Sequence, residues 1–136
     1  MKKFVLFFLI SFLYQLHAFS QYNKSVSVEP LLKTDTNYIG QKIIYPDGDS
    51  TESTILKITF PPGATTGWHI HDYPLFGYIL QGELTVEVEG REPEVLKAGT
   101  AATEVIGIRH CGTNRGKTDL VMIVFYLGKK GKPLVR

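Results

Sequence analysis

The segment ELTVEVEG, residues 83–90, constrains the fold of this chain more than any other stretch. Its aliphatic residues Leu84, Val86 and Val88 alternate with charged or polar ones, and a β-strand places alternate side chains on opposite faces. The segment is therefore predicted to be an antiparallel strand with one apolar face and one wet face. A glycine precedes it and another closes it, as tight hairpin turns require.

The same two-residue period runs from Thr54 to Phe60 and stops at the PPG triplet of residues 61–63, because proline lacks the amide that a sheet ladder needs. Residues 119–127, DLVMIVFYL, are apolar at nearly every position, which predicts a strand covered on both faces. Short strands with glycine and proline between them predict an all-β sandwich or barrel.

The first twenty residues, MKKFVLFFLISFLYQLHAFS, have the layout of a secretory signal peptide. Two lysines precede an apolar run from Phe4 to Leu13, and small residues follow at Ala18 and Ser20. A transmembrane anchor is the alternative, but the run is too short to cross a hydrocarbon core of roughly 30 Å. We therefore predict that residues 1–20 are a cleaved signal peptide and that the protein is exported, either periplasmic or secreted.

The remainder has the size of one domain, and its charge excludes two classes of partner. Loss of the leader lowers the Lys+Arg count from 15 to 13, equal to the 13 Asp+Glu. A formally neutral chain has no net electrostatic attraction to nucleic acid or to an anionic membrane. Cys111 is the single cysteine, so no intrachain disulfide can form and the core must supply the stability.

Two regions are predicted after the leader. Residues 21–53 are mixed in character, with brief alternation at Val26 and Val28, and are interpreted as an N-terminal arm with edge strands. Residues 54–136 are predicted to form the barrel. Within them the basic segment GKKGKPLVR, residues 128–136, is interpreted as an exposed tail whose charges are solvated.

Two histidines one residue apart, in GWHIHDY, raise the question of a metal site. On a strand His69 and His71 project from the same face, where two imidazoles can chelate an ion. The alternative is a pair of ordinary polar residues on a sheet surface, because this spacing is common. A metal site needs a third ligand from elsewhere in the chain.

The surroundings of this pair resemble the cupin family. The first cupin motif reads glycine, five residues, His-x-His, three or four residues, glutamate, six residues, glycine. Gly63, His69, His71 and Gly82 match it, and Leu75 stands at the position of the glutamate.

A second stretch carries the same resemblance. The second cupin motif reads glycine, five residues, proline, one residue, glycine, two residues, histidine, three residues, asparagine. Gly99, Gly107, His110 and Asn114 match in register, and Val105 replaces the proline.

The resemblance to a small single-domain cupin implies a double-stranded β-helix, or jelly-roll, barrel. It also implies that His69, His71 and His110 face the lumen and bind one divalent metal ion. Imidazole does not select one metal, so iron, manganese, zinc, nickel and copper all remain candidates. Cupins commonly pair through edge strands, so a homodimer formed through the arm is a further expectation.

The glutamate missing at Leu75 has two candidate replacements. Glu104 is polar within the otherwise apolar AATEVIGI, and could act as a ligand or hold an imidazole in place. A partly exposed, salt-bridged carboxylate is the alternative for this residue. Asp72 directly follows His71 and is expected to point away from the ligand face, in a turn.

Three neutral imidazoles alone would leave the charge of a divalent ion uncompensated, which favours an anionic or enolisable small molecule as the ligand. Arg109 is a candidate partner for such an anion, with a solvated guanidinium as the alternative. Family members include dioxygenases, isomerases and decarboxylases, so the resemblance implies metal-dependent chemistry of this kind. A non-catalytic binding or sensing module and a structural β-domain with incidental histidines are the competing hypotheses.

Overall fold

The computed structural model describes residues 25–136, so the predicted signal peptide, residues 1–20, and the first residues of the predicted arm lie outside the described part. Seven strands are present in that part: β1 Thr51–Phe60, β2 Leu75–Gln81, β3 Glu83–Val88, β4 Glu94–Lys97, β5 Ala101–Thr103, β6 His110–Thr113 and β7 Leu120–Lys129. Among the same residues, no helix has the length and hydropathy needed to cross a membrane.

The strands form two antiparallel sheets whose order differs from the order along the chain. One sheet has the order β1-β7-β2-β5 and the other β4-β3-β6. The last strand, β7, therefore lies between β1 and β2 and pairs with both. Crossovers of this kind are those of a jelly roll, and the all-β cupin architecture predicted from the sequence is confirmed.

Strand β3 illustrates how the sequence produces this structure. Leu84, Val86 and Val88 are buried in the core, as the two-residue period predicts. The turn before β3 depends on Gly82, which has a φ of +76°. A Cβ at this position would lie 2.8 Å from the carbonyl oxygen of Asp119, so both the conformation and the space require glycine.

The prediction that β7 is covered on both faces is wrong. Residues Leu120, Met122, Val124 and Tyr126 are buried, but Phe125 points to the other side and is 42% exposed. In the described residues no layer covers the outer face of the four-stranded sheet, so the apolar outer residues of β7 remain partly accessible. The unbroken apolar run of β7 therefore corresponds to one buried face and one apolar face that is partly exposed to solvent.

No edge strand forms in the described part of the arm before Thr51, and residues 51–53, the end of the predicted arm, belong to β1. Residues 25–50 contain no strand, only a bridge between Thr36 and Lys42, and β1 begins at Thr51. The side chain of Gln41 instead makes a reciprocal pair of hydrogen bonds with the backbone of Ile106, at 2.7 and 2.9 Å. Gln41 thus attaches its own part of the arm to the barrel through its side-chain amide.

The motif asparagine, Asn114, has a structural role. It is fully buried, and its amide donates to the carbonyl oxygens of Phe60 and Thr118, both at 2.8 Å. Its side-chain oxygen accepts a bond from the amide of Gly116 at 2.9 Å. Asn114 therefore closes the connection between β6 and β7 and ties it to the end of β1.

Candidate metal centre

The histidine pair lies in the connection between β1 and β2, where the backbone is attached to β6. His69 and His110 form an isolated antiparallel bridge, with reciprocal backbone hydrogen bonds of 2.9 and 3.0 Å. This pairing brings two segments about forty residues apart in sequence to the same place. The Nε2 atoms of His69 and His71 are 3.2 Å apart, so the predicted side-by-side arrangement of these two rings is confirmed.

Each of the three imidazoles is oriented by a backbone carbonyl group. The Nδ1 atoms of His69, His71 and His110 lie 2.9, 3.0 and 2.8 Å from carbonyl oxygens. A carbonyl oxygen can only accept a hydrogen bond, so each Nδ1 carries the proton. In the neutral ring the lone pair is then on Nε2, the nitrogen that faces the centre of the cluster.

Glu104 completes this cluster. It follows β5, and its Oε2 atom is 3.1 Å from Nε2 of His71 and 3.2 Å from Nε2 of His110. The amide of Glu104 donates to the carbonyl oxygen of Leu75 at 3.1 Å, so these two residues are neighbours on adjacent strands. The carboxylate of Glu104 thus reaches the centre of the cluster from the segment next to β2. Strand β2 carries Leu75, the position at which the cupin motif has its glutamate.

Leu75, which stands at the motif glutamate position, is 2% exposed and lines the cavity as an apolar wall. Of the alternatives considered for Glu104, the structure thus brings its carboxylate to the three imidazoles. With Glu104 beside them, the four side chains carry one negative charge. A divalent cation at their centre would be left with a net charge of about +1.

The charges of the cluster act on one another. Burial alone would raise the pKa of Glu104, but hydrogen bonds and positive charge from His110 and His71 in their protonated form lower it to about 2, so the carboxylate is ionised. For His110, burial acts to lower the pKa, and the hydrogen bond to Glu104 reverses this so that the pKa is raised. The pKa of His69 is lowered, first by burial and further by the two neighbouring histidines.

The donor set fits a divalent metal ion. The four ligand atoms, from His69, His71, Glu104 and His110, all lie within 4.8 Å of one another. Ligands about 2.1 Å from a shared ion and at right angles to each other would be about 3.0 Å apart, which is close to the observed contacts of 3.1 to 3.2 Å. Three nitrogen lone pairs and a carboxylate oxygen suit borderline transition metals such as iron, zinc and nickel.

A small cavity of about 40 Å³ opens beside the cluster between the two sheets. Apart from the four clustered residues and Gly112, its lining is almost wholly apolar: Ile58, Phe60, Thr66, Leu75, Leu84, Val86, Met122, Val124 and Tyr126. The ring of Tyr126 meets that of His71 edge to face, with the centroids 5.5 Å apart. Burial and the charge of Glu104 raise the pKa of Tyr126 to about 12, so its hydroxyl group stays protonated.

Two charged residues considered from the sequence lie away from the cavity. Asp72 pairs with Arg136, whose Nε is 2.9 and 3.0 Å from the two carboxylate oxygens. Arg109 lies over the ring of Trp68, 5.7 Å from its centroid, and 3.7 Å from a carboxylate oxygen of Glu89. Neither residue faces the clustered histidines, so the hypothesis that Arg109 binds an anion there is not supported.

The single cysteine is also outside the site. Cys111 is buried, and its thiol donates to a carboxylate oxygen of Glu87 at 3.6 Å. Burial, followed by the charge of Glu87, raises the pKa of the thiol. A buried thiol of raised pKa is a poor nucleophile, which agrees with its interpretation as a small packing residue.

Two contributions to the site were missed by the sequence analysis. The carbonyl oxygen that orients His71 belongs to Leu134, in the segment interpreted as a solvated tail. Leu134 is partly buried and packs against the core, so that interpretation is wrong at this position. The apolar pair Leu134 and Val135 at the end of a basic segment was the available signal. Tyr126 lies in residues 119–127, which the sequence predicts to be a strand, but its place beside His71 follows only from the fold.

Known proteins resemble the chain over the same region. It is 33% identical over 83 residues to the oryzines biosynthesis cluster protein J of Aspergillus oryzae, which covers 61% of this chain and 45% of the relative, so the chain spans less than half of that protein. A predicted oxalate decarboxylase from Thermotoga maritima is 29% identical, with 54% of this chain and 64% of that chain covered and a TM-score of 0.49.

A protein with a double-stranded β-helix domain from Klebsiella pneumoniae is 17% identical, with 65% of this chain and 81% of that chain covered and a TM-score of 0.52. Residues 56–126, which contain all four converging side chains, match the family model described as Cupin domain. The chain therefore belongs to the cupin domain family.

Proposed function

We propose that this protein is a metal-dependent cupin that binds one divalent ion through His69, His71, Glu104 and His110. The cavity beside the ion takes a small molecule with an anionic or enolisable head group and an apolar body. One observation carries the proposal: three imidazole nitrogens, each with its other nitrogen bonded to a carbonyl group, converge with a carboxylate oxygen on a single point.

This arrangement is unfavourable without a cation at its centre. Lone pairs of His69 and His71 face each other at 3.2 Å, and the carboxylate of Glu104 is held against the same group. A single proton can be shared by only two of these atoms. The four side chains would all be able to hold one divalent ion, and its charge would offset both the repulsion between them and the cost of burying them.

The proposed ligand class follows from the clustered histidines and Glu104 at one end of the cavity and from the apolar walls at the other. Four protein ligands leave two positions of a six-coordinate ion for a bidentate enolate or carboxylate. When bound, the ion would supply Lewis acidity, which stabilises negative charge as it develops on a ligand oxygen. Leu75, Val124 and Met122 exclude water from around the remainder of the bound ligand, so the cavity selects a ligand with an apolar body of limited size.

Metal analysis tests this proposal directly. Purified protein is expected to contain about one transition-metal ion per chain, and the triple variant His69→Ala, His71→Ala, His110→Ala is expected to contain almost none. Glu89→Gln, which changes an exposed carboxylate outside the lining of the cavity, is the control and should retain the metal. A wild type no richer in metal than the triple variant would overturn the proposal.

The reaction class is proposed as metal-dependent oxygenase or isomerase chemistry on an enolisable substrate. In support, the apolar walls shield a charged intermediate from water, and the protonated hydroxyl group of Tyr126 lines the same cavity. Oxygen uptake and product formation with a panel of diketones, phenols and thiols are the measurements. The test uses metal-loaded protein, with the triple histidine variant as the blank.

A non-catalytic binding or sensing module is the second candidate, and one observation favours it. Among the described residues that line the cavity, only Thr66 and Tyr126 bring a side-chain polar group beyond those of the four clustered residues. A site with so few additional acid or base groups suits capture of a ligand. Thermal stabilisation by a compound that is not turned over would favour this function over the enzyme.

Export and pairing are also proposals. The predicted signal peptide, residues 1–20, supports a periplasmic or secreted location, and fractionation of cells that produce the full chain would test it. The partly exposed residues on the outer face of the four-stranded sheet, Ile55 and Phe125 among them, support a homodimer. Sedimentation of the mature protein distinguishes monomer from dimer.

A further inference from the structure

The three histidines of the cluster are held in place in two different ways. His69 and His110 each donate from Nδ1 to the carbonyl oxygen two residues earlier, those of Gly67 and Ile108. Their orientation is therefore fixed within their own short segments. His71 donates to the carbonyl oxygen of Leu134, 63 residues further along the chain. Its orientation depends on a separate part of the molecule.

That separate part is attached on both sides of His71. The amide of Ile70 donates to the carbonyl oxygen of Arg136 at 2.9 Å, and the amide of Arg136 donates to the carbonyl oxygen of Ile70 at 3.1 Å. On the other side, Nε of Arg136 lies 2.9 and 3.0 Å from the two carboxylate oxygens of Asp72. The side chain of Leu134 packs against the core between these attachments and β7.

We propose that residues 134–136, which we call the strap, are a positioning element that orients the His71 ring and so sets the metal affinity of the cluster. This inference rests on the proposed metal site. The strap lies beyond residues 56–126, the part of the chain that matches the cupin domain model. His71 therefore obtains its orienting hydrogen bond from outside the matched region, whereas His69 and His110 obtain theirs from the residue two positions earlier.

The physical argument concerns the tautomer and the angle of the ring. The carbonyl oxygen of Leu134 holds the proton of His71 on Nδ1, which leaves the Nε2 lone pair directed at Glu104 and the other nitrogens. Without this partner the ring can exchange tautomers and rotate, and part of the population then presents N–H to the ion. Hydrogen-bond partners of this kind typically change metal affinity by about 10- to 100-fold.

A purely structural role makes a different prediction. If the strap only covers the core, its loss lowers thermal stability and leaves the dissociation constant of the metal unchanged. The pair between Asp72 and Arg136 separates the two cases, because the two side chains are 44% and 57% exposed. Exposed pairs contribute little to stability, so Arg136→Gln is expected to leave the fold intact while it loosens the strap.

The matched control is Arg109→Gln. Arg109 and Glu89 also form an exposed pair, with side chains 53% and 63% exposed, and neither residue lines the cavity beside the cluster. Each of the two variants therefore removes one positive charge from an exposed ion pair. Zinc and cobalt dissociation constants are measured for both variants by competition with a chromophoric chelator.

The strap predicts a graded series of affinities. Arg136→Gln is expected to weaken metal binding about 3- to 10-fold, and a chain that ends at Pro133 about 10- to 100-fold, whereas Arg109→Gln binds as the wild type does. The double change Asp72→Arg with Arg136→Asp restores an ion pair and is expected to recover most of the affinity. Equal dissociation constants for Arg136→Gln and Arg109→Gln would overturn the inference.

A second measurement needs no metal and keeps the strap testable if the metal proposal fails. Nitrogen NMR of metal-free protein reports which ring nitrogen of His71 carries the proton. The wild type and Arg109→Gln are expected to show the Nδ1–H form alone, and the truncated chain a mixture of both forms. A single Nδ1–H form in the truncated chain would show that Leu134 does not control the ring. A wild type that binds no metal but shows the tautomer change would refute the metal site and leave the orienting role intact.

Discussion

The two ends of the cavity are built by different parts of the sequence. The apolar end consists of side chains from the regular strands β2, β3 and β7, such as Leu75, Leu84 and Val124. The polar end consists of His69, His71, Glu104 and His110, which lie in connections or at a strand end. Strands with a regular period supply stability, whereas the places where they stop supply the chemistry.

The two ends of the cavity should also have opposite effects on the stability of the metal-free protein. Burial of the apolar side chains stabilises the barrel, while burial of three imidazoles and a carboxylate costs free energy, which hydrogen bonds to backbone carbonyl groups and contacts within the cluster offset. A substitution at one end should therefore change stability, and a substitution at the other should change metal binding. The predictions below test this separation.

The largest effect is expected at the polar end. His110→Ala removes a buried ligand that no neighbouring side chain replaces, so metal binding should weaken by more than the 100-fold that marks the upper range for indirect partners. Stability of the metal-free protein should change little in comparison. Isothermal titration with zinc and chemical unfolding without metal measure the two quantities. Comparable metal affinity in His110→Ala and wild type would remove this residue from the site.

A change at the apolar end should do the reverse. Leu84 is almost fully buried on β3 and lines the cavity, so Leu84→Ala should lower the free energy of unfolding by about 2 to 5 kcal/mol. Metal stoichiometry should remain that of the wild type. Urea unfolding with and without zinc provides the measurement. A loss of metal in a variant that is still folded would show that the two ends are coupled.

An exchange across the boundary sharpens the comparison. Leu75→Glu alone places a second carboxylate beside Glu104 and should destabilise the metal-free protein by about 1 to 3 kcal/mol, because an added buried charge has no partner. The double change Leu75→Glu with Glu104→Leu restores one carboxylate and one apolar residue. This double variant should recover metal binding. If it binds no more metal than Glu104→Leu alone, a carboxylate at position 75 cannot replace the one at position 104.

The smallest of these four effects is expected from Glu104→Gln, which keeps the shape of the side chain and removes its charge. Glu104 is one of the four proposed ligands, and an amide oxygen remains a weak donor, so metal binding should fall about 10-fold, equivalent to about 1.4 kcal/mol. The measurement is a chelator competition assay with Glu89→Gln in parallel. Equal affinities in the two variants would assign Glu104 a role outside coordination.

The sequence predicts the apolar end well and the polar end only in part. Alternation along β3 is a local property, so the burial of Leu84, Val86 and Val88 could be read from the residues alone. The convergence of His110 with the histidine pair depends on the bridge between two distant segments, and only the resemblance to cupins indicated it. Glu104 remained one of two candidates because its distance to the imidazoles is set by the pairing of β2 with β5.

Other features were beyond the sequence for physical reasons. The bond from His71 to Leu134 uses a backbone oxygen, which every residue possesses, so no residue type marks it. The described part of the arm, residues 25–50, has runs of alternation too short to form a strand and is attached through Gln41 instead. Phe125 shows that apolar character does not establish burial, because its face of the sheet is left uncovered.

The bridge between His69 and His110 joins the connection before β2 to the strand β6, and a shared ion would add a second link at the same place. The ion would then act as a removable cross-link between segments that must separate before the barrel can open. Binding of the metal ion would protect the connection around His71 from proteolysis, and this protection would increase with the free metal concentration. The lifetime of such a protein in its compartment would follow the local supply of metal.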